Sequence, residues 1–245
     1  MPADAPTILA TSGGLRAGTR TQVNYSPLLR YAIELAGVTG RAPRLCHVET
    51  AGGDQRWFQA WLSEAGRAAG VEVSHLNLFP MPSVDDLTGL LLAQDVVWVG
   101  GGSVANLLAL WRLHGLDTSF RQAWEAGVVL GGVSAGSVCW HVGGTTDSFG
   151  PDLRPVTNGL AFLPHSNGVH YDSESQRRPL FQQLVADGSL PDGYATDDGV
   201  GLLYRGTEMT EAVTDVRGKG AYRVTCDGGQ AREERIEPRE LPGTQ

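Results

Sequence analysis

Residues 128–142 read Val-Val-Leu-Gly-Gly-Val-Ser-Ala-Gly-Ser-Val-Cys-Trp-His-Val, and Ser134 within them has the surroundings of a nucleophile. An apolar, β-rich run drives into the serine, and small residues follow at once. Gly132-Val133-Ser134-Ala135-Gly136 fits G-x-S-x-G, the sharp strand-to-helix turn that exposes a serine hydroxyl at its tip. Glycine on either side removes the side chains that would block the turn and the substrate. The helix expected after the turn aims free N–H groups at the reaction centre, where a developing oxyanion needs donors. The pentapeptide alone fits a chemically silent βα turn equally well.

A serine hydroxyl needs a base, and the base needs an orienting acid. Among the six histidines, His47 and His75 fall in early strands and His114 ends a helix. His141 is expected on the helix behind the serine, pointing away from substrate. His165 and His170 remain, five residues apart and hence on opposite faces of an extended strand. His170 is favoured, because it comes at the carboxyl end of that strand. No histidine follows it, so the base comes soon after the nucleophile, not late in the chain as in the ordinary α/β-hydrolases, and the acid can fall on either side of it. Candidate acids are Asp147, Asp152, Asp172, Asp197 and Asp198. Cys139, five residues past Ser134, is expected inside the helix rather than at the turn, which makes it a poor rival nucleophile.

These groups must be carried by a frame. Short apolar runs at 7–11, 45–48, 71–78, 95–99 and 128–133 alternate with amphipathic segments at 25–37, 54–69, 84–93, 104–113 and 117–126. Ser83 is the expected N-cap of the third helix. The alternation predicts an α/β fold, a mostly parallel sheet with helices on both faces. Function in such sheets gathers beyond the carboxyl ends of the strands. Three Gly-rich turns fall there: Ser12-Gly13-Gly14, Gly100 to Ser103, and the Ser134 turn. Beyond residue 145 the texture changes. Residues 143–160 read as loop, 162–169 and 200–204 as strands, 178–186 as a helix, 209–225 as a hairpin, and the charged end as a tail or edge element. The whole chain, 1–245, is read as one domain.

Composition sets limits. A net charge of −8 argues against non-specific nucleic-acid binding. Three scattered cysteines match neither a disulfide framework nor a zinc pattern. No apolar run approaches the ~20 residues of a membrane span, and the reading is a cytoplasmic protein. A homodimer is compatible with the sequence, which does not fix the assembly.

Several segments, in this order, resemble the S51 serine peptidases, the family of the aspartyl dipeptidases, over roughly residues 90–205. They are Val97-Trp98-Val99-Gly100-Gly101-Gly102-Ser103, Gly132 to Ser137, Thr145-Thr146-Asp147, Gly159 to Pro164, Val169-His170-Tyr171 and Asp198-Gly199. The resemblance implies a glutamine-amidotransferase-like fold, Ser134 as nucleophile, His170 as general base, and Gly102 and Ala135 as oxyanion donors. For the third member of the triad it offers both Asp198 and Asp147. It implies a peptide substrate with N-terminal aspartate and no metal or organic cofactor. The segment after the histidine is shorter than in the family, so Arg177 and Arg178 are the candidates for holding an acidic side chain. Alternatives are a β-aspartyl or cyanophycin-type peptidase, an esterase, and a non-catalytic module that binds a small molecule at Gly100–Ser103.

Overall fold

Runs of β-branched and apolar residues closed by glycine turns give the strands of the first half, and the amphipathic segments between them give its helices. The computed structural model describes residues 3–245. The first half comprises β1 (Thr7–Thr11), β2 (Leu15–Ala17), β3 (Val23–Tyr25), α1 (Pro27–Leu35), β4 (Arg44–Val48), α2 (Arg56–Ala69), β5 (Glu72–Leu76), α3 (Leu87–Leu92), β6 (Val96–Val99), α4 (Val104–Leu113), α5 (Leu116–Glu125) and β7 (Val129–Val133). There follow α6 (Ala135–Val138), β8 (His141–Thr146), β9 (Arg154–Val156), β10 (Leu163–Gly168), α7 (Arg177–Ala186), β11 (Gly193–Thr196) and β12 (Val200–Arg205). The chain ends with β13 (Glu208–Thr214), β14 (Ala221–Asp227), β15 (Gln230–Ile236) and β16 (Arg239–Glu240).

Eight strands form the main sheet, in the order β16-β13-β12-β1-β7-β6-β4-β5. Only β12 runs against the rest. Side chains alternate across it as strand geometry demands. Leu9, Leu45, Val96 and Trp98 pack with Leu28, Leu29, Ala32 and Ala65 of α1 and α2. Ile8, Cys46, Val97 and Val99 face the other way, into a core with Leu107, Trp111 and Phe120 of α4 and α5. Both faces are therefore covered, which is why every residue of β1 is buried. No helix is long and apolar enough to cross a membrane among the described residues.

The second half differs from the sequence reading. A six-stranded sheet, β15-β14-β11-β10-β8-β9, packs its core into that of the first: Phe162, Leu163 and Ala221 belong to the same buried cluster as Trp111 and Trp140. Residues 143–160 are not all loop. Gly143 and Gly144 lie in β8, where a Cβ would sit 2.0 Å from Val156 O and 2.1 Å from Asn167 O. Glycine there records close strand packing, not a turn. Nor is 209–225 a hairpin: β13 pairs with β12 in the first sheet, and β14 with β11 and β15 in the second. The charged end supplies an edge strand to each sheet, β15 and β16. Helix α3 is capped by Asp86, whose carboxylate accepts from Gly89 N at 2.8 Å, while Ser83 accepts from Asn77 N instead.

Candidate active site

The turn from β7 to α6 holds Ser134 at φ 57°, ψ −114°. A non-glycine residue reaches positive φ only at a cost, and such strain persists where the surroundings enforce it. Here the flanks do so. A Cβ on Gly132 would lie 2.5 Å from Gly136 O, and one on Gly136 would lie 2.2 Å from Val99 O. Ser134 N donates to Thr11 O at 3.1 Å, tying the elbow to the end of β1. Helix α6 is a single turn rather than the longer helix expected. Its first N–H, on Ala135, has no acceptor among the described residues, and neither has the N–H of Gly102. The loop after β6 closes over the serine: a Cβ on Gly101 would stand 3.3 Å from Ser134 Cβ.

His170 lies two residues beyond β10, at φ 53°. Its N–H donates to Ser12 Oγ at 3.1 Å. Ser134 and His170 are thus anchored on adjacent residues, Thr11 and Ser12, at the carboxyl end of β1. The imidazole Nδ1 meets Asp198 Oδ1 at 2.6 Å, which leaves Nε2 as the free ring nitrogen. Hydrogen bonding from His170 holds the Asp198 carboxyl below its ordinary range, against the opposing pull of partial burial. Asp172 positions this acid by accepting from Asp198 N at 2.9 Å, and is itself paired with Lys219. The Ser134 hydroxyl makes no hydrogen bond among the described residues, as is common before substrate closes such a contact.

Of the two acids offered for the triad, the structure brings Asp198 to the ring and leaves Asp147 away. Asp147 is exposed in the turn after β8, because the buried strand ends at Thr146 and the chain leaves the sheet there. Asp197 faces the opposite way, accepting from Gly220 N and Tyr222 OH. Cys139 is wholly buried, and burial pushes its thiol well up. His141 lies on β8 rather than on a helix; it is buried between Ser137 O and Tyr204 OH and held neutral, its pKa lowered to about 3 by desolvation. His165 packs edge-on against Tyr194.

The two candidate arginines are engaged elsewhere. Arg177 is 3% exposed, bonded to Glu174 Oε2 at 2.7 Å and to Thr145 O at 2.5 Å. Arg178 pairs with Glu233 and lies over the rings of Tyr222 and Tyr171. Neither lines the cavity that opens beside the serine.

That cavity, of about 330 Å³, shares Gly100, Gly101 and Val133 with the elbow and the glycine loop. Its walls are Leu15, Trp57, Phe58, Leu62 and Trp98. Three polar side chains line it, His47, Glu49 and, at the start of α2, Gln55, whose amide is taken up by Gly52 O and the Trp57 indole. Glu49 is 5% exposed, and its carboxyl makes no hydrogen bond among the described residues; Oε1 stands 3.7 Å from His47 Nδ1. Burial, and then the charge of Asp54, push its carboxyl up to about 8. Desolvation and the neighbouring His75 bring His47 down to about 3. Sequence reasoning missed this cavity. Its one signal was position: Glu49 directly follows the last residue of β4, at the sheet edge that carries the Gly-rich turns.

Comparison with known proteins identifies the family and the fold. The model of peptidase family S51 matches residues 8–212. An uncharacterized peptidase of Bacillus subtilis strain 168, YgaJ, is 42% identical over 182 residues, 74% of this chain and 78% of that protein. A crystal structure of a peptidase from an acI-B1 Actinobacterium superposes with a TM-score of 0.66 at 14% identity, covering 96% of this chain and 95% of the other. A putative peptidase E protein from Listeria monocytogenes EGD-e gives 0.58 at 16% identity, covering 94% and 98%. At such identities these two structures speak for the fold alone, the class I glutamine-amidotransferase-like fold of peptidase E-like proteins. On its sequence, the chain belongs to peptidase family S51.

Proposed function

We propose that this peptidase is a serine-type exopeptidase acting on short peptides, with Ser134 as nucleophile, His170 as general base and Asp198 as the acid that orients it. What supports the reading is the 2.6 Å bond from His170 to Asp198 at the strand end that also anchors the strained serine. In this reading Ser134 Oγ attacks the scissile carbonyl and its proton passes to His170 Nε2. Gly102 and Ala135 N–H groups hold the oxyanion, a contribution of about 10²–10³ in rate per donor. The tetrahedral adduct collapses, the C–N bond breaks, and the leaving amine takes the proton from His170. Water, deprotonated by the same ring, then attacks the ester; the acid product leaves and Ser134 regains its proton.

The finer reading, cleavage of dipeptides with N-terminal aspartate, comes from the family resemblance. It needs a cation for the acidic side chain, and Arg177 or Arg178 would have to leave its present partner to supply one. A dipeptide-library screen with a fluorophosphonate probe tests the chemistry. The wild type labels at Ser134 and cleaves dipeptides; Ser134→Ala does neither, with turnover lower by about 10⁴-fold or more. Unchanged turnover in Ser134→Ala overturns the proposal.

A further inference from the structure

The cavity beside Ser134 carries information about substrate that the triad does not. It abuts the glycine loop on the serine's own side: Gly101 is packed on Ser134, and Gly100 is packed on Glu49, where a Cβ would lie 2.0 Å from Oε2. A side chain borne by the residue that supplies the scissile carbonyl has this hollow next to it. At about 330 Å³ it lies at the small end of the ~300–1,000 Å³ typical of ligand pockets, suited to one side chain rather than a long peptide.

We propose that this cavity receives an uncharged apolar or aromatic side chain of the residue contributing the scissile carbonyl, so that the enzyme cleaves after leucine, methionine or phenylalanine in preference to aspartate. The inference rests on the serine-peptidase reading above and names the substrate class of that site. Its grounds are the lining. Trp98 and Leu62 are almost fully buried, and Leu15, Phe58 and Trp57 complete an apolar wall. No lysine or arginine is among the lining residues. Arg56, at the start of α2, turns along the helix to Gln59 at 3.3 Å. The one acidic group, Glu49, would repel a substrate carboxylate when ionised, and it offers no compensating positive charge when protonated. An aspartate side chain entering here gives up its hydration without meeting a cation, whereas an apolar one gains by leaving water.

The test uses the full-length protein, a fluorophosphonate probe for Ser134, and dipeptides Xaa-Leu with Xaa as Phe, Leu, Met, Ala or Asp. The expected kcat/KM for Phe-Leu and Leu-Leu exceeds that for Ala-Leu by at least about 10-fold and that for Asp-Leu by about 10²-fold, within the range that apolar pockets achieve. Leu15→Trp fills the cavity from β2 and should cut Phe-Leu cleavage at least about 10-fold while Ala-Leu and probe labelling change little. Phe58→Ala, which enlarges it from α2, should move the preference towards Trp-Leu; together the two variants keep the test open if one fails to fold. Normal labelling of Ser134 with Asp-Leu as the preferred substrate overturns the inference and leaves the serine-peptidase reading standing. So does normal labelling with no dipeptide cleaved, or a Leu15→Trp loss that is equal for Ala-Leu and Phe-Leu. Absence of labelling overturns the parent reading itself. Arg56→Ala should leave the ratios unchanged; an aspartate preference that disappears with it identifies the cation missing from the lining and also overturns the inference.

Discussion

Two pairs of carboxylate and imidazole sit at the carboxyl ends of strands, as Ser134 does. In one, Asp198 meets His170 at 2.6 Å, with side chains 43% and 22% exposed. In the other, Glu49 faces His47 at 3.7 Å, with side chains 6% and 0% exposed. The chemical groups are the same, and the two carboxyls are driven in opposite directions. In the first pair a short bond from the ring outweighs partial desolvation, and the acid is held below its ordinary range. In the second the separation is too long for a hydrogen bond. Burial then decides, raising the acid to about 8 and lowering the imidazole to about 3. Near pH 7 the first acid is a carboxylate that can steady an imidazolium. The second pair is predominantly uncharged and lines a hydrophobic hollow. Water access and one ångström of separation thus make one pair fit for proton transfer and the other fit for a wall.

The comparison breaks most visibly at Asp198. Asp198→Asn keeps the shape and removes the charge, and should lower kcat/KM for a good dipeptide by about 10³–10⁴-fold. Asp147→Asn, at the exposed turn after β8, should stay within about 2-fold of wild type, since surface changes of this kind are energetically small. Equal losses in the two variants, measured on the same substrate, would return Asp147 to the triad.

A smaller effect is expected on the oxyanion side. Gly102 has φ +132°, and a Cβ there would lie 2.4 Å from Ala51 O. Gly102→Ala must therefore rotate the peptide and withdraw its N–H, lowering kcat by about 10²–10³-fold. Gly115→Ala is the control: its φ of +69° is also positive, but nothing lies within 4 Å of the added carbon. It should cost about 1 kcal/mol of stability and leave kcat unchanged. If both variants lose activity in proportion to stability, Gly102 has no special part in the reaction.

The sequence was legible where local pattern and tertiary role coincide. Alternating strands and helices up to residue 133 are set by hydrophobic period, and Ser134 by the glycines that its turn requires. His170 could be favoured because a strand end in an α/β sheet is a functional address. Past residue 140 local cues misled. Gly143 and Gly144 look like loop residues, yet they sit in a strand because another backbone passes within a Cβ's reach. Arg177 reads as a substrate cation, but burial beside Thr145 O and Glu174 takes up its donors. Glu49 and His47 were unremarkable letters, since their meaning depends on desolvation that only the folded chain creates.

The last expected effect concerns stability rather than rate, and it isolates the buried pair. In the unfolded chain Glu49 titrates near its ordinary 4.5, while in the folded chain it retains its proton up to about 8. Below pH 4.5 both states are protonated and the group is neutral in the balance. Between 4.5 and 8 the unfolded chain has shed a proton that the folded chain still holds, so stability falls as pH rises, and the loss is complete above 8. His47 and His141 act in the other direction. Held near 3 in the fold against an ordinary 6.5, they withdraw stability as pH falls through that interval. Both histidines are present in wild type and in Glu49→Gln, so their contribution largely cancels in the difference. Urea unfolding of the two proteins at several pH values should show the variant gaining on wild type steadily from 4.5 to 8, by on the order of a few kcal/mol at the upper end. A difference that is flat across the window would mean that Glu49 ionises normally, and the cavity would then carry a full negative charge opposite the serine.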